Sequence, residues 1–167
     1  MSDKPTKSAI ESAYAYLANR MRTTEEVRKH LEGKGYDAGE IAETINELME
    51  MRYLDDHAFA MRYYEYNREK RRGVLRAERE LAEKGVDRET IGFAKEDFLY
   101  ENEIDEFADA LEIARREISL TDKGQGPAPL DDKLAAKIAR KLETRGFARG
   151  DIFRVLDEVR RLNRSEQ

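Results

Sequence analysis

The chain has 167 residues, with 31 Lys and Arg against 36 Asp and Glu, a net charge of -5 and no cysteine, which excludes disulfides and thiolate chemistry and fits a reducing compartment. Apolar residues make up 40% and charged residues another 40%, with a mean hydropathy of -0.85, so cores are thin, solvated faces are long, and helices laid side by side are the natural solution. No stretch reaches the ~18 apolar residues of a membrane span and the N-terminus carries no long apolar run, so a soluble cytoplasmic protein without a membrane partner is expected.

Residues 1–8 are polar and expected to fray. Ile10, Ala13, Tyr14, Leu17 and Met21 then trace a first helical stripe. Thr23 with Glu26 forms a capping-box signal for a second helix, whose apolar side is Val27 and Leu31 and whose stop is Gly33 to Gly35. Asp37 with Glu40 repeats the signal ahead of Ile41, Ile45, Leu48 and Met49. Three helices this short are unstable singly and are expected to pack as a tripod.

Tyr53-Leu54-Asp55-Asp56 opens a new unit, with Asp56 as the expected N-cap and Phe59, Tyr63 and Tyr66 on one stripe. The basic run Arg68-Glu69-Lys70-Arg71-Arg72 ends at the helix breaker Gly73, and the next helix carries Arg76, Arg79 and Leu81 to a stop at Gly85. Superposing the glycine stops aligns Leu31, Leu81 and Leu142, then Gly35, Gly85 and Gly146, then Tyr36, Val86 and Phe147. The alignment continues through Ile41, Ile91 and Ile152 to Leu48, Phe98 and Val159. Ile104-Asp105-Glu106 opens the third unit as Leu54-Asp55-Asp56 opens the second, and the Gly/Pro-containing stretch 121–130 reads as a loop insertion. Strand formers alternate nowhere over a useful length. The expectation is an all-α chain of three tandem three-helix repeats in an elongated array, at 9–52, 53–102 and 103–163. In each repeat, leucine, three residues, glycine and an apolar residue is the signature of a helix ending in a left-handed turn.

No catalytic constellation stands out, and an enzyme is not expected. His30 and His57 are the only histidines, and His57 beside Asp55 and Asp56 reads as helix-start chemistry. Gly124-Gln125-Gly126-Pro127 lacks the Lys-Ser/Thr of a phosphate loop. No cofactor or metal is called for. Charge is segregated instead: residues 86–122 carry 4 basic and 12 acidic side chains, and residues 133–164 carry 10 basic and 4 acidic, a dipolar arrangement that steers charged partners. Two basic stripes are the candidate binding residues. Arg68, Lys70, Arg71, Arg72, Arg76 and Arg79 gather around one helix junction near Tyr63, Tyr64 and Tyr66. Lys137, Arg140, Lys141 and Arg145 recur at helical spacing further on. Either stripe suits phosphates or an acidic protein surface.

Thr24-Glu25-Glu26-Val27-Arg28-Lys29-His30-Leu31 through Lys34-Gly35, the run Ile41 to Leu48, and Tyr53-Leu54-Asp55-Asp56 with Phe59-Ala60 resemble the RecX regulatory proteins of bacteria. Arg72-Gly73 and Leu81-Ala82-Glu83-Lys84-Gly85-Val86 continue the likeness, which covers about residues 9–163. The resemblance implies a monomeric, non-enzymatic regulator that lies in the groove of the RecA filament on DNA and curbs strand exchange, ATP hydrolysis and co-protease activity. Two other classes fit parts of the pattern. A helix-turn-helix DNA-binding regulator fits Thr24 to Asp56, but its recognition helix would carry Glu43, Glu47 and Glu50 and no basic residue between Ile41 and Met51. A helical scaffold for another protein is the remaining alternative.

Overall fold

The structure, a computed structural model, describes residues 6–121 and 130–165, so residues 122–129 of the expected loop lie outside the described residues. Among the described residues there are nine helices and no strand: α1 Ala9–Leu17, α2 Thr24–Gly33, α3 Ala38–Glu50, α4 Asp56–Glu69, α5 Val74–Glu83, α6 Arg88–Glu101, α7 Glu106–Thr121, α8 Asp132–Arg145 and α9 Arg149–Ser165. The all-α expectation holds. The chain divides into two compact units, one holding the residues up to Tyr63 together with Arg79–Asp97, the other Tyr64–Glu78 together with Phe98 onward. α1, α2 and α3 pack on one another in the first unit, and α7, α8 and α9 do so in the second. α4, α5 and α6 each contribute one part to each unit.

The sequence repeat is a repeat of turn geometry. Leu31, Leu81 and Leu142 are fully buried, and the residues after the glycines, Tyr36, Val86 and Phe147, are buried with them. Their backbone N–H groups donate to Leu31 O at 3.3 Å, Leu81 O at 3.1 Å and Leu142 O at 3.1 Å. Gly35, Gly85 and Gly146 stand between at φ of 87°, 82° and 89°. Each second helix therefore ends in the same left-handed turn with an apolar cover. Ile41, Ile91 and Ile152 are buried in the helix that follows, as are Leu48, Phe98 and Val159.

The joints between second helices repeat too. In the first unit Thr23 Oγ1 donates to Lys84 O at 2.7 Å, so the start of α2 meets the end of α5, and Glu25 covers Gly85. In the second unit Gly73 N donates to Arg145 O at 2.8 Å and Leu75 N to Gly146 O at 3.2 Å, so the start of α5 meets the end of α8, and Arg76 covers Gly146. In the second joint orphan N–H groups of one helix thereby find orphan carbonyls of another, while in the first a side-chain hydroxyl supplies the donor. A β-carbon at Gly73 would run into the Gly146 carbonyl, so the second joint closes only on glycine.

Two local expectations are corrected. Asp55 rather than Asp56 caps α4, accepting from Ala58 N at 2.9 Å, and Asp105 caps α7, accepting from Ala108 N at 3.1 Å. The following acid reaches a different helix. Asp56 accepts from Thr24 N at 2.8 Å at the start of α2, and Glu106 accepts from Val74 N at 2.8 Å at the start of α5. The α1 stripe is also rotated: Ala9, Ser12 and Ala13 are buried while Tyr14 and Met21 are exposed, and the helix ends at Leu17. Small residues let α1 approach α2 and α3 closely, and the large ones flank that contact.

Candidate partner-binding surface

Within α4 Phe59 is buried as expected, but the buried side runs on through Tyr64 and not through Tyr66. Tyr66 is 46% exposed and Tyr64 only 1%, stacked on Phe98 with centroids 5.4 Å apart. The rotation leaves the basic end of α4 on the surface. There Arg71 N donates to Arg68 O at 2.7 Å and Arg72 N to Asn67 O at 3.0 Å, and Arg71 turns into the left-handed region at φ 55°. The helix is thus closed off two residues before Gly73, and four basic side chains fan out from one tight turn.

The two basic stripes meet here. Arg145, at the end of α8, donates to Arg71 O at 2.9 Å and Lys70 O at 3.3 Å, while Arg76 donates to Thr144 O at 3.4 Å. Those arginines hold the α4–α5 junction against α8. Arg68 Nε lies 3.5 Å from Asp109 and Arg71 Nη1 2.8 Å from Glu112, two acids one turn apart on α7. Lys70 sits over the Tyr66 ring at 5.7 Å. Arg72 is half-buried, and among the described residues its guanidinium has neither an ion pair nor a hydrogen bond. Arg79 follows on α5 as an exposed residue.

The second stripe is largely committed inside the fold. Glu117 is buried on α7, receives Lys141 in a close ion pair and Lys137 at 3.3 Å, and the Lys141 hydrogen bond holds its carboxyl below the usual value against the opposing effect of burial. Arg140 alone of the four remains exposed without an ion pair among the described residues. Nothing in local sequence marks Glu117 as their partner, because a single acid amid helix polar positions ordinarily faces water.

A cleft of about 430 Å³ opens beside the junction. Its apolar floor is formed by Phe98, Ile113 and Phe147. Arg68, Arg71 and Arg72 line it, together with Glu65 and Glu69 from α4 and Asp109 and Glu112 from α7. Two further features escaped sequence reasoning because their partners are remote in the chain. His57 Nε2 lies 2.7 Å from Asp97 Oδ2, and His30 stacks on Tyr16 at 4.0 Å, with Arg22 4.1 Å from the Tyr16 ring centroid. Burial, with Lys34 and Arg22 nearby, lowers the His30 pKa and favours the neutral ring. Among the described residues no three His, Cys, Asp or Glu side chains group as metal ligands, and no helix is long and apolar enough to cross a membrane.

Known proteins resemble this chain in sequence and in fold. A family model described as RecX, first three-helix domain, matches residues 9–48. The chain is 35% identical over 136 residues to regulatory protein RecX of Halalkalibacterium halodurans, a match covering 81% of this chain and 48% of that protein. It is 29% identical over 155 residues to regulatory protein RecX of Bacillus subtilis, covering 92% and 55%. The chain spans about half the length of these relatives. The crystal structure of RecX from Lactobacillus salivarius has the same fold, with a TM-score of 0.73 at 22% identity over 90% of this chain and 93% of that one. A second crystal structure of regulatory protein RecX gives a TM-score of 0.66 over 89% and 70%. With the family model falling on α1 to α3 and the sequence match running on through most of the chain, the protein belongs to the RecX family.

Proposed function

We propose that this chain is a non-enzymatic cytoplasmic regulator that binds the RecA filament on DNA as a monomer and restrains strand exchange, ATP hydrolysis and co-protease activity. The observation that carries this reading is its 35% identity, over 81% of its length, to a protein named regulatory protein RecX. The α4–α5 junction supports it with exposed Arg68, Lys70 and Arg71, half-buried Arg72 and Arg76, and exposed Arg79 further along α5. Among the second-stripe residues, exposed Arg140 supports the reading, whereas Lys137, Lys141 and Arg145 make bonds inside the fold. A DNA-binding helix-turn-helix role fits less well. Glu43, Glu47 and Glu50 are all exposed on α3, where a recognition helix would meet phosphates.

Co-sedimentation with RecA filaments on single-stranded DNA, run beside naked DNA, tests the reading. The expected result is pelleting with filaments and a slower filament ATPase. Pelleting with naked DNA alone would favour the DNA-binding alternative, and failure to pellet in either arm would leave only a scaffold for another protein.

A further inference from the structure

The cleft beside the junction has features that choose between the partners a basic cluster can serve. Its floor is built from Phe98, Ile113 and Phe147, all core residues exposed by 6% or less. A partner group entering the cleft therefore reaches the edge of the apolar core. Two of its three arginines, Arg68 and Arg71, already face Asp109 and Glu112. Arg72 differs. Its backbone is fixed by the Arg72 N to Asn67 O bond of 3.0 Å, yet among the described residues its guanidinium has no partner.

The lining holds three guanidiniums and four carboxylates. A nucleic-acid backbone brings a negative charge with every nucleotide, and laid across this rim it would meet those carboxylates at close range. A protein segment brings charge only where its sequence puts it, so it can seat one carboxylate on Arg72 and an apolar side chain on the floor. Half-buried arginine beside aromatic surface is the composition of protein interface centres. The volume, about 430 Å³, is that of a site for a few side chains.

The geometry points to this cleft as a protein-docking site that takes an apolar side chain flanked by a carboxylate, Arg72 supplying the ion-pair partner. The inference rests on the filament reading above and narrows it: at the α4–α5 junction the contact is with RecA protein, not with the DNA it carries.

Arg72→Glu tests this directly, in the full chain, with RecA filaments on single-stranded DNA as one probe and the same naked DNA as the other. Reversing the charge should weaken filament binding by about tenfold or more, because the incoming carboxylate then faces another carboxylate. Naked-DNA binding should stay at the wild-type level, and Arg72→Lys should restore part of the filament affinity. Thermal melting by circular dichroism should be unchanged, since among the described residues the guanidinium has no bond to lose. Should Arg72→Glu melt early, Arg72→Gln carries the same comparison with a smaller loss. Wild-type filament affinity in both variants would overturn the cleft assignment while leaving the regulatory reading intact. An equal loss on naked DNA would make the cleft a phosphate site and overturn it as well. Wild-type protein that fails to pellet with filaments would overturn both readings.

Discussion

Gly35, Gly85 and Gly146 occupy the same left-handed turn but differ in what stands over it. Nothing lies within 4 Å of a β-carbon built at Gly35, whereas one at Gly85 would overlap Glu25 and one at Gly146 would overlap Arg76, including its backbone nitrogen. Gly35→Ala should then cost only the left-handed strain, about 1 kcal/mol. Gly85→Ala and Gly146→Ala add an overlap that backbone must relieve and should cost roughly 2–4 kcal/mol. Denaturant titration of the three variants measures this ordering, and equal losses would contradict the joints as described. Glu106 makes the second residue-scale case. Burial raises its pKa from 4.5 to about 7, opposed by the Val74 N–H bond and reinforced by Asp151, Asp109 and Glu78. The folded state therefore holds a proton that the unfolded chain releases near pH 4.5, so this group's contribution is full below that pH and declines up to about pH 7. Glu106→Gln keeps an oxygen acceptor for Val74 and cannot ionise. Its stability relative to wild type should rise by about 1–2 kcal/mol between pH 4 and pH 8, after allowance for solvent screening. Paired thermal melts across that range check it, and a gap independent of pH would refute it.

At the scale of elements, each second helix is held by one leucine and its terminal turn. Leu81 is fully buried in α5, so Leu81→Ala should cost roughly 2–5 kcal/mol by urea denaturation. A loss under about 1 kcal/mol would mean that the site collapses around the smaller residue. The α4–α5 junction behaves differently from an ordinary basic surface. Arg71 pairs with Glu112 and Arg145 tethers the carbonyls of Lys70 and Arg71. Arg145→Ala should therefore lower the melting temperature, whereas Arg72→Ala should leave it within error. Equal effects of the two on melting would show that the tether contributes nothing. The same contrast explains why joint replacement of Arg71, Arg72 and Arg76 would confound loss of binding with loss of structure. Arg76 also donates across the joint, to Thr144 O.

Across the whole molecule, charge is arranged by segment, acidic through 86–122 and basic through 133–164. Much of the basic segment is balanced locally: Lys137 and Lys141 by Glu117, Arg154 by Asp151, and Arg161 by Glu158. A filament contact through the remaining cations should weaken with added salt, but gently. A log–log slope equivalent to no more than about two neutralised phosphates is expected if protein contact dominates. A slope of several phosphates in a salt series of co-sedimentation would instead assign the surface to DNA.

The all-α class, the three glycine turns and the five aligned columns were legible in sequence because they depend on neighbours within one or two helical turns. Leu31, Leu81 and Leu142 are buried for the same local reason that Gly35, Gly85 and Gly146 turn left-handed. The basic cluster at the end of α4 was legible too, since a run of arginines before Gly73 needs no fold to be seen. Only tertiary structure decided how those charges are spent. Asp56 and Glu106 cap helices 32 residues earlier in the chain, Arg145 reaches carbonyls 74 and 75 residues away, and Glu117 takes up two lysines of the second stripe. A hydrogen bond forms where donor and acceptor come within about 3 Å, and no periodicity in the chain encodes which distant helix end will arrive there. Among the described residues Arg72 is left without an ion pair or side-chain hydrogen bond by that same packing, so what sets it apart from the other basic residues of the run is visible only in the fold.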